Sequence, residues 1–457
     1  MSHEHDDEAT LGDEDIVEVV EDDEGDEPME EDDDDEHLME EDDDEEREYD
    51  GELVVGAPVG PEEEEEYEEH MRREAERQRD DNSWGVTSLH KPQQSIFVLS
   101  LHPSFPNPPL ALSGGEDDLG YLFCPIPDST FPPIKLTGHT DSVVAAGWNF
   151  DGEMVATGGM DGKIRVWRRV KGRTGEAEWK DWEFLTALDT GDEISWMTWH
   201  PKGNVLAAGC EDSSVWLFNL PSGDTMTVLS SHTDSCSAGL FPAPYKSLLT
   251  ASLDSTLILW DPRTSQSLFK TSIFCPPNSP NLDPTVHGIT ALAVSPDGKL
   301  AAVGSNNGSV RLVNLPKGDI VGRLEGHAEG ESVEALEFVD LLNGAGGGKG
   351  VVVVSGGTDG RGFVWDVATA RVRAEIKHDE PITSLAAHPL PSLHLVTTAS
   401  ADSTLKTWDI RTGALISTHK GHAGVVNGVA VGSAPSPEQG QVIVTAGDEG
   451  VSLIWKA

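Results

Sequence analysis

An all-β propeller of eight four-stranded blades is the fold this sequence predicts, and three observations predict it. The chain beyond about residue 84 repeats itself eight times: one copy is GHTDSVVAAGWNFDGEMVATGGMDGKIRVW, Gly138 to Trp167, another is SHTDSCSAGLFPAPYKSLLTASLDSTLILWD, Ser231 to Asp261, and a third is VVSGGTDGRGFVWD, ending at Asp366. The residues that close the third strand of each copy, Phe123, Trp167, Phe218, Trp260, Val313, Trp365, Trp408 and Trp455, recur every 42 to 53 residues. Within each copy the apolar runs are short and separated by turn residues, as strands are. A period of about 40 to 50 residues with Gly-His early and Trp-Asp late is the signature of stacked blades that bury their faces only against neighbours.

Each element follows in order. Residues 1–60 are an acidic tail expected to be disordered, because runs such as EEDDDDE have nothing apolar to bury and repel themselves. Residues 61–83 are expected to be a charged helical or linker segment, with helical character over Pro61 to Arg79: Glu68 and Glu69 precede Arg72 and Arg73 by four residues, and acid at the start with base at the end complements a helix dipole. The propeller is expected over 84–457, in units of about 91–130, 131–173, 181–224, 225–266, 267–318, 319–370, 371–414 and 415–457, each making one blade. The last unit ends two residues after Trp455 and lacks a fourth strand. The segment 84–90 (WGVTSLH) is expected to supply it and close the ring. Insertions starting at Arg168, Cys275, Asn343 and Gly432 read as surface loops.

Charge narrows the function. Residues 1–80 contain 41 Asp or Glu against 5 Arg, a formal charge of −36 within a chain total of −51. Such a chain repels nucleic acid and anionic membrane and suits a basic partner. Cys124, Cys210, Cys236 and Cys275 have no metal-ligand spacing and read as buried reduced thiols. No secretory signal or bilayer-length apolar run is present, so the cytoplasm, with the nucleus as a further site, is the expected location and a monomer the expected state. There is no phosphate loop, HExxH or GxSxG; GAGGGKG at Gly344 lacks the spacing and the hydroxyl residue after Lys. An enzyme, a cofactor and a metal are not expected.

The repeat resembles the WD-repeat family, and the resemblance sorts its polar residues. His139, Thr157, Asp161 and Trp167 fall where that family forms a buried hydrogen-bonded set, as do His232, Thr250, Asp254 and Trp260; His327, Ser355, Asp359 and Trp365; and His378, Thr398, Asp402 and Trp408. Hydroxyl, imidazole and carboxylate imitate a hydrolase triad, but one that recurs every blade is architecture. Units three and five have Ala208 and Val303 at the hydroxyl position, unit five has Asn307 for Asp, and the last unit has Glu449 there, so these blades are expected to lean on apolar packing. The family pattern also places three variable residues per unit around the propeller mouth, two bracketing the start of the innermost strand and one before the structural acid. Read across the eight units they include Glu116, Glu193, Glu211, Glu334 and Asp448, no Lys or Arg, and the apolar Phe97, Met160 and Leu253. A concave rim of one sign attracts a basic segment.

More specific stretches narrow the family. TASLDSTLILW (250–260), VGSNNGSV (303–310) and VIVTAGDEGVSLIW (442–455) resemble the fungal WD-repeat chaperones of large-subunit ribosomal protein L-ten; GGEDD (114–118), GHTDSV (138–143) and the acidic tail resemble the animal angio-associated migratory cell proteins of the same wider family. The resemblance implies a chaperone that holds the basic N-terminal segment of that newly made ribosomal protein on its acidic face until 60S assembly, with Glu334 as the first choice of contact. Two other readings stand beside it. WDPR (260–263) and WDIR (408–411) match the short signal of cullin ubiquitin-ligase substrate receptors, and acidity suits a histone chaperone.

Overall fold

The computed structural model describes residues 81–457 except 128, 171–178, 275–286, 346–349 and 437–439. The acidic tail, nearly all of the 61–83 segment and the insertion from Cys275 therefore lie outside the described residues. Among those described, thirty-two strands pair into eight four-stranded antiparallel sheets. The first strands of the blades are Ile96–Leu101, Val143–Trp148, Ile194–Trp199, Ala238–Leu240, Ile289–Val294, Val333–Asp340, Ile382–Ala387 and Val426–Ser433. Each packs against the first strands of the blades before and after it, and the eighth packs on the first, so they line a closed central channel.

Burial follows from that stacking. Second strands such as Met154–Gly159, Val351–Gly357 and Gln441–Gly447 sit between neighbouring blades and are buried almost throughout, which is why they read as continuous apolar runs like VVVV at 351–354. Fourth strands form the outer edge of the ring and are mostly exposed, as along Asp224–Ser230. The large buried rings, Trp365, Trp455, Phe123 and Phe218, close third strands.

The repeat units and the blades are out of register by one strand, which corrects the expectation that each unit makes one blade. Ile134–Leu136, in the second unit, is the outer strand of blade one, and Trp182–Asp189, in the third, is the outer strand of blade two. The offset is what makes the ring a ring, because every unit is bolted to its predecessor by main-chain hydrogen bonds. At the seam the N-terminal strand Gly85–Thr87 pairs with Ser452–Lys456, Gly85 opposite Ile454 and Thr87 opposite Ser452. The grip begins before Trp84: the Asn82 side chain accepts from the Trp455 indole at 2.9 Å and the Lys420 amide at 2.9 Å, and donates to the Thr418 carbonyl at 3.0 Å.

The insertion at Arg168 is also not all surface loop. Arg168 and Arg169 extend the third strand of blade two and Trp182 opens the fourth. His102 packs edge-on against both Trp148 and Trp179, with ring centroids 4.8 Å apart in each pair. Arg168 pairs with Glu183 at 2.5 Å and Arg169 with Glu153. Cys210 and Cys236 are buried free thiols and Cys124 is a half-buried one.

Candidate functional site

The recurring polar sets are bolts between blades. In blade two His139 Nδ1 lies 3.0 Å from Asp161 and Nε2 is 2.8 Å from the Thr157 hydroxyl. In blade six His327 links Asp359 at 3.1 Å and Ser355 at 2.8 Å, and in blade seven His378 links Asp402 at 2.9 Å and Thr398 at 2.6 Å. The indoles of Trp260, Trp365 and Trp408 donate to Thr250, Ser355 and Thr398 at 2.8, 2.9 and 3.0 Å. Trp167 makes no such bond among the described residues; its ring meets Phe184 edge-on at 5.9 Å. Blade four inserts a hydroxyl: His232 Nδ1 is 2.9 Å from Thr256 Oγ1, which donates to Asp254 at 2.6 Å, and the acid itself is 3.6 Å from the ring. The hydroxyls of Thr157, Thr250, Ser355 and Thr398 belong to fully buried residues, so none can meet a substrate.

Burial sets the titration of these groups. Desolvation lowers the pKa of His139 and His327 in spite of the acids beside them. For Asp161, Asp254 and Asp402 burial alone would raise the pKa; hydrogen bonds from the histidines, Thr256, Thr404 and backbone amides outweigh it and hold the carboxyls below their ordinary value.

Two further sets of imidazole, acid and hydroxyl escaped the sequence reading. In blade one His90 links Asp117 at 2.8 Å and Ser113 at 2.9 Å, with Tyr121 edge-on at 4.8 Å. In blade eight His422 links Glu449 at 2.5 Å and Thr445 at 2.6 Å. The expectation that the last blade leans on apolar packing because Glu replaces Asp is thus corrected: the longer side chain still reaches the imidazole. Blades three and five do lack the set. Blade three is wedged instead by Trp196, whose ring fills the space where a side chain on Gly209 or Gly239 would stand and whose indole lies 3.4 Å from Cys236 Sγ; only glycine permits that approach.

The same repeat builds the mouth. A backbone hydrogen bond from the residue preceding the structural acid to the residue preceding the inner strand recurs in all eight blades: Glu116 to Ser95, Met160 to Ser142, Glu211 to Glu193, Leu253 to Ser235, Asn306 to Gly288, Thr358 to Ser332, Ala401 to Pro381 and Asp448 to Val425, at 2.8–3.0 Å. The middle position, just inside the strand, is skipped by a β-bulge at Phe97, Val144, Ser195, Thr290, Glu334, Thr383 and Asn427. A bulged residue leaves the ladder, which frees its side chain for the channel mouth.

Glu116, Glu193, Glu211, Glu334 and Asp448 are all exposed on this rim. Glu116 accepts from the Ser95 amide at 3.0 Å and Asp448 accepts from the Ser95 hydroxyl, so carboxylates of blades one and eight converge. In blade three Glu193 and Glu211 stand side by side, with Ser195 donating to Glu211 at 2.9 Å. Phe97 and Met160 are 39% and 38% exposed and can serve as apolar anchors. Leu253 differs: it is half-buried against Gly288 and offers less surface. Four middle positions are also occupied structurally. Ser237, Thr290, Thr383 and Asn427 bond to the carbonyls of Ile289, Val333, Val426 and Ile96 in the next blade.

A second arc of acids lies one residue upstream of the rim. Asp141, Asp192, Asp234, Glu331 and Glu380 each precede the first mouth position of their blade. The first three accept from the next residue's amide at 2.7, 2.7 and 2.8 Å, and Glu331 accepts from the Thr358 hydroxyl at 2.7 Å. The signal was present in the repeat, one register position earlier.

Comparison with known proteins points the same way. The model of the WD domain, G-beta repeat, matches residues 131–168, 281–314 and 371–409, and that of the anaphase-promoting complex subunit 4 WD40 domain matches 177–262. An uncharacterized WD repeat-containing protein of Schizosaccharomyces pombe is 33% identical, covering 81% of this chain and 86% of that protein. Human angio-associated migratory cell protein is 28% identical over 80% of this chain and 79% of its own, and the ribosome assembly protein SQT1 of Saccharomyces cerevisiae 27% over 81% and 86%. The crystal structure of Chaetomium thermophilum Sqt1 bound to the N-terminus of the ribosomal protein L10 superposes with a TM-score of 0.69 at 25% identity, covering 83% of this chain and all of that one.

Proposed function

This chain belongs to the WD-repeat proteins, and from that premise we propose that it is a dedicated chaperone of ribosomal protein L10, holding the basic N-terminal segment of the newly made client on its acidic mouth and delivering it for assembly of the large ribosomal subunit. The carrying observation is the mouth itself: five exposed carboxylates, four placed by the repeated backbone bond and Glu334 by the repeated bulge, with no Lys or Arg at any of those positions. A relative of the same fold has been seen with the N-terminus of L10 bound. The mechanism is sequestration. Client Lys and Arg pair with the carboxylates around blades eight and one, three and six, while Phe97 and Met160 cover apolar side chains; the rim supplies rate and selectivity, and apolar burial supplies residence. The proposed place of action is the cytoplasm, where the client is made.

The ligase-receptor reading has less support. In WDIR, the Arg411 guanidinium forks onto Asp409 at 3.0 and 2.6 Å and is already engaged within its own turn.

The test is capture from a translating extract with the full chain as bait. L10 should be the basic protein recovered, and Glu334→Lys should reduce recovery about tenfold, since reversing a rim charge replaces attraction with repulsion. Recovery of core histones in place of L10, or of the ligase adaptor, would overturn the assignment.

A further inference from the structure

The channel contains a carboxylate that the mouth does not use. Glu337 lies on the inner strand of blade six, three residues beyond Glu334. It lines a cavity of about 320 Å³ between the far ends of three inner strands, on the side away from the mouth. The side chain is half-buried, and among the described residues its carboxylate has no hydrogen-bond or ionic partner. The strands packed against its own, Ile289–Val294, Leu300–Ser305, Val351–Gly357 and Ile382–Ala387, contain no titratable side chain. Glu334 and Asp340 lie three residues away on the same strand, and Tyr245 is the other titratable residue on the cavity wall. Burial without a counter-charge lifts the Glu337 carboxyl to about 7.

A larger cavity of about 670 Å³ adjoins it and shares Ser295, Pro296 and Phe338. Its acids are occupied: Asp297 by Lys299 at 3.0 Å, and Asp340 by the amides of Leu342 and Gly344 at 3.0 and 2.7 Å. A half-buried carboxylate with no counter-charge is stabilised when a cation sits against it. The combined space exceeds one side chain and falls in the size range of sites for extended ligands.

We propose that the two cavities form a second binding site, on the face opposite the mouth, for a peptide segment with one basic residue between apolar ones. The cationic head rests on Glu337, and the flanking side chains lie against Leu292, Leu300, Leu336 and Phe338. This site is independent of the client-binding reading of the mouth.

Titration calorimetry of the full chain with Ac-Leu-Arg-Leu-amide and its citrulline analogue tests it. The wild type should bind the arginine peptide at least tenfold more tightly than the citrulline peptide, and more tightly at pH 8 than at pH 6. Glu337→Gln should abolish both preferences while leaving L10-peptide binding intact; Glu334→Lys should keep them. Persistence of the preferences in Glu337→Gln, their absence from the wild type, or binding of agmatine as tight as that of the peptide would overturn the proposal.

Discussion

Glu449 shows how a single residue can be read correctly in place and wrongly in role. Its position in the repeat was plain, but whether a longer acid could still reach His422 depends on the backbone angle of one turn, which no spacing records; the 2.5 Å contact answers it. His90 was hidden for another reason, since it precedes the first full unit and its acid, Asp117, follows 27 residues later with no Trp to mark the set. These buried imidazoles make a prediction. Burial lowers the pKa of His90, His139, His327 and His388, and brings His102 and His419 to about 4. The folded chain therefore binds fewer protons than the unfolded chain between their ordinary value of 6.5 and about 4. Their contribution is fully present above 6.5 and is lost as pH falls through that window. The depressed carboxyls Asp161, Asp254, Asp402 and Glu449 add a further loss below about 4. Denaturant midpoints should fall progressively from pH 6.5 to 4, because the six imidazoles outweigh Glu337, whose raised carboxyl acts in the opposite sense below about 7; a midpoint that rises between pH 6.5 and 4 would refute this account of the buried imidazoles.

At the scale of elements, the strands were legible because each is an apolar run bounded by turns, and the eightfold period supplied their number. The one-strand offset was legible only at the chain ends, where the last unit visibly lacked a partner. The bulges were not legible at all: a bulge is a change in hydrogen-bond register, and Phe97 or Glu334 looks like any alternating strand residue until its neighbours pair around it. The seam concentrates closure in few residues, one strand pair of three residue pairs plus the Asn82 side chain and the stacking of Lys456 on Trp84 at 4.0 Å. Deleting residues 81–90 opens the ring and also removes His90 from blade one. Thermal melting should drop by about 5 °C or more, as loss of several kcal/mol implies for a domain of this size; an unchanged melting curve would show that the ring is closed some other way.

Over the whole molecule, rim and tail carry the same sign. Five rim carboxylates and five more one position upstream face the mouth side, and residues 1–80 add a formal −36. Composition alone made a basic partner the expectation, but only the folded ring gathers Glu116, Glu193, Glu211, Glu334 and Asp448, separated by up to 332 residues, onto one concave edge. Attraction of this kind acts on encounter more than on residence and is screened over roughly 8 Å at physiological salt. The most direct measurement is the association rate of the full chain with the N-terminal peptide of L10 as salt is raised from about 50 to 300 mM, a range over which the screening length shrinks markedly. The account predicts fast association that slows by about tenfold or more, with a dissociation rate that changes little. An association rate indifferent to salt, or a peptide that does not bind, would contradict the claim that the acidic mouth captures this client.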